Sequence, residues 1–236
     1  MLSLPRQPRK GPFVAHGALS VIGRAGVTEM TPNELSIQRY KRRAAGYDDS
    51  AQYTMPLRRR TIALLRLQPG QVVLDVGAGT GLSYALLRDG VGDAGRVLAF
   101  EQSPEMFAQA AARVERQRWR NVWQVGASAE TVQLPEPADA VLFNYTHDIL
   151  RSPEALGNLM RQVKPGARIA IAGIKYFPWW TGPLNIYTWL KNRPYNAKPG
   201  DLWHPWDRIE AYCDSFQRWT TQFGMGYIAS GTKRGN

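Results

Sequence analysis

A glycine-rich segment is the part of the sequence best suited to hold a ligand. Residues 73–81 read Val-Leu-Asp-Val-Gly-Ala-Gly-Thr-Gly: an apolar strand that carries Asp75 runs into glycines at 77, 79 and 81. The next residues, 82–87, are apolar and helix-like. Glycines let a tight turn approach a ligand closely, and the helix that follows offers unpaired N–H groups. A dinucleotide fingerprint needs its third glycine one residue later, where Leu82 stands, so the spacing favours another kind of ligand loop.

A second acidic residue stands where it could bind a sugar. Glu101 ends the next predicted strand, twenty residues after Gly81. A carboxylate at that place can accept hydrogen bonds from both hydroxyls of a ribose. The alternative role is to cap the following helix, but Ser103 already supplies that cap. We therefore expect Glu101 to bind a ribose.

Polar residues follow the fourth predicted strand. Asn144, Tyr145 and His147 come at its carboxyl end, the edge where open α/β sheets bind ligands. His147 titrates near neutrality and is the candidate general base, with Asp148 beside it, unless it is a surface or helix-capping histidine. Tyr145 either takes part in the chemistry or lines the pocket. His204 is a second candidate base, and the three histidines lack metal-ligand spacing.

The elements that must position these groups alternate between strand and helix. This order is typical of a three-layer, doubly wound α/β fold with a mostly parallel sheet. Helices are expected over 31–45, where Thr31-Pro32-Asn33-Glu34 forms a capping box, and over about 56–67. Ser103-Pro104-Glu105 and Ser152-Pro153-Glu154 should each start a helix, and Lys164-Pro165-Gly166 is the expected turn into the fifth strand. The seven predicted strands lie near residues 71–76, 96–101, 121–125, 138–143, 168–173, 215–222 and 226–232.

The domain organisation follows from composition. Residues 1–29 are rich in Pro, Gly and Arg without periodicity, and we expect a disordered or weakly ordered basic tail. Residues 30–236 should form one domain, with N-terminal helices within 31–67. A length of 236 residues is enough for such a domain and its full core.

From about residue 40 to 232, the chain resembles the class I methyltransferases that use S-adenosylmethionine (SAM). The motif around Asp75 resembles their motif I, residues 97–106 their motif II, residues 139–145 their motif IV, and residues 159–171 their motif V. Tyr47-Asp48 upstream makes the small-molecule enzymes of ubiquinone and menaquinone C-methylation look like the nearest group. This resemblance implies a SAM-dependent methyltransferase with a seven-stranded, Rossmann-like sheet.

The resemblance also implies a set of cofactor contacts. Asp75 would orient the loop and the methionine ammonium, and Ser128 stands where the family usually has an aspartate for the adenine amine. Gln102 and Met106 would flank the adenine, although Met106 equally suits a helix core. The cofactor-binding residues expected in this way are Tyr47, Asp75, Gly77, Ala78, Gly79, Thr80, Gly81, Glu101, Gln102, Ser103, Met106, Ser128, Ala129 and Asn144, with His147 and Tyr145 as catalytic candidates and no metal ligands.

Residues 175–212 differ from the rest of the chain. They hold ten aromatic residues and several prolines after the fifth strand, which is typical of a wall or lid over an active site. The alternative is an irregular cap that packs its aromatic rings inward. We expect a small, aromatic or lipid-like acceptor molecule beneath this segment.

Charge and cysteine content limit which binding partners and which compartment the sequence favours. The net charge is +11, and residues 1–60 contribute eleven basic against four acidic side chains. This basic region could contact an anionic membrane peripherally. The simpler interpretation is that its charges lie on solvated helix faces and on a tail. The region lacks the aromatic–basic interleaving of nucleic-acid binders. The single Cys213 excludes a disulfide framework and is typical of a cytoplasmic protein. The sequence does not indicate the oligomeric state.

Three other functions compete with methyl transfer to a small molecule. A nicotinamide-dependent oxidoreductase could also use Glu101, but Leu82 and the lack of a Tyr-x-x-x-Lys pair argue against it. An RNA or DNA methyltransferase could use the basic region, but Asn144 is followed by Tyr-Thr-His rather than Pro-Pro-Tyr. A non-catalytic scaffold that keeps the fold is the third alternative.

Overall fold

The computed structural model describes residues 52–192 and 199–235. The predicted tail 1–29, the predicted helix 31–45 and Tyr47 lie outside these residues. Within them the strands are β1 Val72–Val76, β2 Arg96–Glu101, β3 Val122–Gly126, β4 Ala138–Asn144, β5 Val163–Ile174, β6 Cys213–Thr221 and β7 Gly226–Lys233. The α-helices are α1 Met55–Ala63, α2 Tyr84–Val91, α3 Pro104–Arg116, α4 His147–Arg151, α5 Pro153–Arg161, α6 Gly182–Asn192 and α7 Asp207–Glu210. Short 3₁₀ helices cover Gln52–Thr54, Trp179–Thr181, Pro199–Leu202 and Gln222–Gly224.

The seven strands form one sheet in the order β3-β2-β1-β4-β5-β7-β6. Strands β1 to β5 pair in parallel, whereas β7 runs antiparallel to both β5 and β6. The strand order reverses at β1, because β2 and β4 lie on either side of it. Crevices at such switch points hold ligands at the carboxyl ends of the strands. The predicted fold class and the mostly parallel sheet are confirmed.

Alternating strand residues fill two cores, one on each face of the sheet. On one face Val73, Val97 and Leu142 pack with residues of α1 and α2. On the other face, Leu74 and Phe143 pack with residues of α4, α5 and α7. Because both faces are covered, the central strands are buried along almost their whole length, as their continuous apolar runs indicated.

Most of the predicted boundaries are confirmed, and two differ. Ser103 and Ser152 are the caps of α3 and α5, each accepting a backbone N–H three residues on. The helix expected over 56–67 ends at Ala63, and Arg66 has a φ of 49°, which no α-helix accommodates. Lys164-Pro165-Gly166 belongs to the start of β5 rather than preceding it, at an irregularity in the pairing with β4.

Candidate functional site

The glycine loop between β1 and α2 leaves one side of the backbone open. Gly77, Gly79 and Gly81 have φ values of 58°, 60° and 77°, a region that side chains rarely tolerate. A Cβ on Gly81 would lie 2.6 Å from the Tyr84 ring, whereas a Cβ on Gly79 would meet nothing within 4 Å. Gly81 is therefore required by packing, and the chain at Gly79 borders open space where a ligand can approach. Ala78 and Thr80 in the same loop are buried.

Glu101, at the end of β2, holds this loop. Its Oε2 accepts the Gly79 N–H at 2.9 Å, and its Oε1 accepts the Ser103 N–H at 2.8 Å. Burial raises the pKa of Glu101, against the lowering effect of the backbone N–H groups that it binds. A carboxylate has about four acceptor positions, more than these backbone N–H groups occupy, so Glu101 can still accept from a ligand hydroxyl. This arrangement fits the ribose role expected for Glu101.

Asp75 lies at the floor of the crevice with an unused oxygen. Its side chain is only 2 % exposed and hydrogen-bonds to Ser83, while Oδ2 has no partner. Burial raises the pKa of Asp75 to about 7, although the positive charge of Arg58 lowers it. Ser83 precedes α2 but makes no helix-capping bond with its side chain, because its hydroxyl bonds Asp75 and Arg58 instead.

Arg58 completes a charged cluster that the sequence analysis missed. This residue of α1 is 6 % exposed and donates from Nη1 to Ser83 Oγ at 2.5 Å, while its Nε has no partner. With its amide oxygen turned towards the guanidinium, Asn144 accepts from Nη1 and Nη2 at 3.1 and 3.0 Å. The available signal was helical spacing, because Arg58 shares a face with the buried Ile62 and Leu65.

The loops after β2 and β3 hold the expected adenine contacts. Ser128 Oγ lies 3.1 Å from Thr131 Oγ1, so its hydroxyl has a partner within its own loop. Ala129 is buried in the core, and Met106 is buried on α3, which fits the helix-core alternative for that residue. The hydroxyl of Ser103 caps α3. Gln102 is partly exposed beside this loop.

Beyond β4 the chain bends sharply at Tyr145, whose φ of 61° is rare outside glycine. The Tyr145 N–H donates to Ala172 O at 2.8 Å, which fixes this bend against β5. Its hydroxyl accepts from Gln222 Nε2 at 3.4 Å, and Gln222 lies in the turn between β6 and β7. Backbone strain of this kind concentrates at functional sites, so the bend keeps Tyr145 a candidate site residue.

His147 is arranged as a structural group rather than as a base. Its Nε2 accepts the Ile174 N–H at 3.1 Å, which uses the lone pair that a base would need. Its Nδ1 is buried without a partner, so the exposed Asp148 does not hydrogen-bond to it. Burial lowers the pKa of His147 to about 4. The geometry therefore disfavours the general-base hypothesis. The hydrogen bond from Ile174 instead gives His147 a structural role, because it joins α4 to the end of β5. His204 lies at the surface, with Nδ1 4.0 Å from Asp207 Oδ2.

We expect the His147 imidazole to stay neutral between about pH 5.5 and 8, because a pKa of about 4 lies well below that range. Nuclear magnetic resonance titration of the imidazole signals measures this directly, with a His147→Gln variant to identify the resonance. A His147 signal that titrates near its ordinary value of about 6.5 would restore the base hypothesis.

Polar atoms without partners gather near the end of β5. Within the described chain they include Thr146 Oγ1, His147 Nδ1, Trp206 Nε1 and Tyr227 OH. A Cβ on Gly173 would lie 2.6 Å from His147 Cε1 and 3.0 Å from Tyr227 OH, so these rings pack on the same glycine. The Trp206 ring is 4.9 Å from that of Tyr227. Buried donors without partners are uncommon and can mark where a ligand group binds.

No group of three His, Cys, Asp or Glu side chains that could hold a metal occurs in the described part of the chain. The charged groups around the glycine loop instead fit a nucleoside linked to an amino acid. Glu101 retains acceptor positions for ribose hydroxyls. The unpartnered Asp75 Oδ2 and Arg58 Nε match an ammonium and a carboxylate.

The chain is similar to known methyltransferases over its cofactor-binding half. A relative from Aeropyrum pernix, a protein-L-isoaspartate O-methyltransferase, is 34 % identical over 135 residues, covering 57 % of this chain and 48 % of the relative. A ubiquinone/menaquinone C-methyltransferase from Enterobacter sp. is 30 % identical over 122 residues, covering 48 % of this chain and 47 % of that relative. The chain thus spans about half the length of these curated relatives.

Solved structures agree on the fold. The N-methyltransferase NodS from Bradyrhizobium japonicum, in complex with S-adenosylhomocysteine, matches with a TM-score of 0.61 and 13 % identity, covering 84 % of this chain and 98 % of NodS. At that identity the likeness establishes the fold alone.

The family comparison confirms the predicted class and corrects the predicted subgroup. Quinone-biosynthesis enzymes are among the relatives, but the family model that matches is that of the protein-L-isoaspartate (D-aspartate) O-methyltransferases, over residues 23–175. The prediction of the subgroup rested on Tyr47-Asp48, which lies outside the described residues. Because the match covers more than half of the 236 residues, the chain belongs to the protein-L-isoaspartate (D-aspartate) O-methyltransferase family.

Proposed function

We propose that this protein transfers a methyl group from SAM to an acceptor bound between Tyr145 and the segment 175–212, and releases S-adenosylhomocysteine. One observation carries the proposal. Around a single glycine loop, the chain presents a ribose-type carboxylate at Glu101 together with an unpartnered acid oxygen at Asp75 and an unpartnered guanidinium nitrogen at Arg58. Family membership over residues 23–175 supports the same function.

In this proposal each end of the cofactor has its own residues. Glu101 accepts the ribose hydroxyls, Asp75 accepts the methionine ammonium, and Arg58 donates to the methionine carboxylate. Gln102, Ser128 and the Ala129 backbone surround the adenine. Arg168 donates to Leu64 O at 3.3 Å and so joins the end of α1 to β5, which keeps Arg58 in place.

When bound, SAM supplies a methyl group activated by its sulfonium sulfur. The residues of the chain contribute orientation and a dry site, which provide much of the rate in an in-line displacement. The strained bend at Tyr145 directs its hydroxyl towards the turn at Gln222, where it can orient an acceptor. Because the His147 Nε2 already binds a backbone N–H, this histidine does not remove a proton from the acceptor.

The segment 175–212 favours a small, aromatic or lipid-like acceptor. It lies beyond the end of the family match and carries ten aromatic residues. Tyr176 and Trp206 pack inward, and Trp206 leaves its Nε1 unpartnered beside Tyr227. An apolar wall with a few polar atoms is the usual lining of a small-molecule site.

A second acceptor, the isoaspartyl carboxylate of a protein, also has support. Relatives with that activity in their names match the chain at up to 34 % identity. A carboxylate is already ionised at neutral pH, with a pKa of about 4, so it would need no base. This suits a site whose histidine is engaged in a backbone hydrogen bond.

Thermal unfolding with SAM, S-adenosylhomocysteine, NADH and NADPH tests the cofactor. A ligand at 100 times its dissociation constant should stabilise the fold by about 2.7 kcal/mol. We expect the two adenosyl-sulfur ligands alone to raise the melting temperature. Stabilisation by a nicotinamide ligand would overturn the proposal.

Methyl transfer from labelled SAM then separates the acceptors. We expect label to enter phenols, quinones or phospholipids. If label enters an isoaspartyl peptide instead, the protein carboxylate is the acceptor. Mild base should then release the label, because it hydrolyses a methyl ester. The matched aspartyl peptide is the control, because it differs only in which carboxyl carries the backbone.

A further inference from the structure

Helix α6 presents an apolar face to solvent. Trp179 and Trp180, just before it, are 79 % and 70 % exposed, and Ile186 within it is 61 % exposed. Together with three further residues of the helix they form what we call the aromatic surface: Trp179, Trp180, Leu184, Ile186, Tyr187 and Leu190. Apolar groups gathered in this way on a protein surface usually mark a binding site.

Two polar residues of α6, Asn185 and Thr188, face the protein, whereas the polar face of an ordinary surface helix faces solvent. Asn185 Oδ1 accepts the Phe177 N–H at 2.9 Å, and Asn185 Nδ2 donates to Phe177 O at 3.1 Å. Thr188 is fully buried and donates to Leu184 O at 2.9 Å. The two bonds of Asn185 join the helix to the Phe177 backbone and so hold it with its apolar side outward.

The stretch of sequence that contains this surface is positively charged. Residues 175–200 contain four basic residues, Lys175, Lys191, Arg193 and Lys198, and no Asp or Glu. Basic residues beside a lipid surface are each attracted to anionic headgroups, and Trp and Tyr prefer the interface between water and lipid. In the described residues no helix is long and apolar enough to cross a bilayer, and α6 has eleven residues. A helix of this kind lies along a membrane surface.

A chain of contacts links the aromatic surface to Tyr145 through the turn between β6 and β7. Phe223, in the turn between β6 and β7, is fully exposed, and its neighbour Gly224 packs on the Phe177 ring, where a Cβ would lie 2.7 Å away. Gln222 of the same turn donates to the Tyr145 hydroxyl. A surface that rests on the aromatic residues would therefore also lie beside Tyr145.

We propose that the aromatic surface docks on an anionic phospholipid bilayer, with its Trp and Leu side chains among the headgroups, and that the positive charge of residues 175–200 in the sequence favours anionic lipid. This interaction would turn the opening beside Tyr145 towards the membrane. Docking does not depend on methyl transfer, and it can be measured on the full chain without cofactor or acceptor.

Co-sedimentation with lipid vesicles tests the proposal. We expect the protein to bind vesicles with about 30 mol % phosphatidylglycerol at least tenfold more tightly than pure phosphatidylcholine, and to be released by salt. The variant Trp179→Ser/Trp180→Ser should lose at least about tenfold of this binding, because each tryptophan contributes apolar area and an interfacial N–H. Its melting temperature and its response to SAM should stay unchanged, since neither residue is near the glycine loop.

Two controls make the result specific. Tyr53→Ser removes an equally exposed aromatic ring before α1 and should leave binding intact. A variant in which Arg6, Arg9 and Lys10 are neutralised tests whether the basic N-terminal region causes the binding. We expect it to keep vesicle binding, because the aromatic surface is unchanged. Vesicle binding that survives the double tryptophan variant overturns the proposal, as does the absence of binding to anionic vesicles. Self-association that this variant abolishes, without vesicle binding, would make the surface an interface between copies.

Discussion

Replacing Glu101 with alanine should weaken SAM binding by more than about tenfold, because the ribose hydroxyls lose a charged acceptor. The structure adds a second reason. Glu101 also accepts the Gly79 and Ser103 N–H groups, so the variant leaves two backbone donors near the loop without that partner. The glycine loop should then lose its fixed shape as well as its ligand contact. Isothermal titration calorimetry with SAM measures the affinity.

Two further variants separate these effects. Glu101→Gln keeps the size of the side chain and one acceptor oxygen, but its NH₂ group faces a backbone N–H donor. We therefore expect a loss of SAM affinity smaller than that of Glu101→Ala. Glu130→Ala removes an exposed carboxylate in the loop after β3 and should leave the affinity unchanged. An unaltered affinity in a folded Glu101→Ala protein would show that the ribose assignment is wrong.

The affinity for SAM should rise steeply with pH, by up to about tenfold per unit between pH 5.5 and 7. Burial raises the pKa of Asp75 to about 7, so below that value the carboxyl is largely protonated and must lose its proton to bind an ammonium. The increase should level off above about pH 7, where Asp75 is ionised, and the affinity should fall above about pH 8, where the α-amino group of the ligand deprotonates. Calorimetry across this range, repeated in buffers of different ionisation enthalpy, also counts the protons released.

Variants of the cluster assign this pH dependence to Asp75. Asp75→Asn should bind SAM weakly at every pH and lose the steep rise. Arg58→Met should move the rise to higher pH, because the positive charge that lowers the Asp75 pKa is gone. An affinity that is independent of pH between about 5.5 and 7 in the unaltered protein would contradict the buried, partly protonated carboxyl.

The same pKa shift has a consequence for stability. The folded pKa of Asp75 lies above its unfolded value of about 3.8, so the folded state binds the extra proton between these two values. The contribution of Asp75 to the free energy of unfolding therefore falls as pH rises from about 4 to about 7, and saturating SAM should offset that fall. Urea unfolding of the unaltered protein and of Asp75→Asn measures the difference.

The sequence by itself determined the sheet and the cofactor edge. Seven strands, two serine caps and the Asp75–Gly81 loop follow from periods of apolar residues and from turn residues, which act over a few neighbouring positions. Glu101 was predictable for the same reason, because its place at the end of a strand fixes which edge of a parallel sheet it reaches. The sequence resemblance likewise predicted the class of methyltransferase but not the family.

Only the tertiary structure decided the roles that depend on partners far apart in the chain. Arg58 became a site residue because α1 packs across β5 and brings its guanidinium to Ser83, 25 residues away. The structure disfavours the general-base role of His147 and favours the structural alternative, because a backbone N–H of β5, 27 residues on, binds its Nε2 and burial lowers its pKa. Helix α6 turned its apolar face outward because Asn185 is bound to the Phe177 backbone. Hydrogen-bond partners and desolvation are properties of assembled surfaces, and no local pattern of residues encodes them.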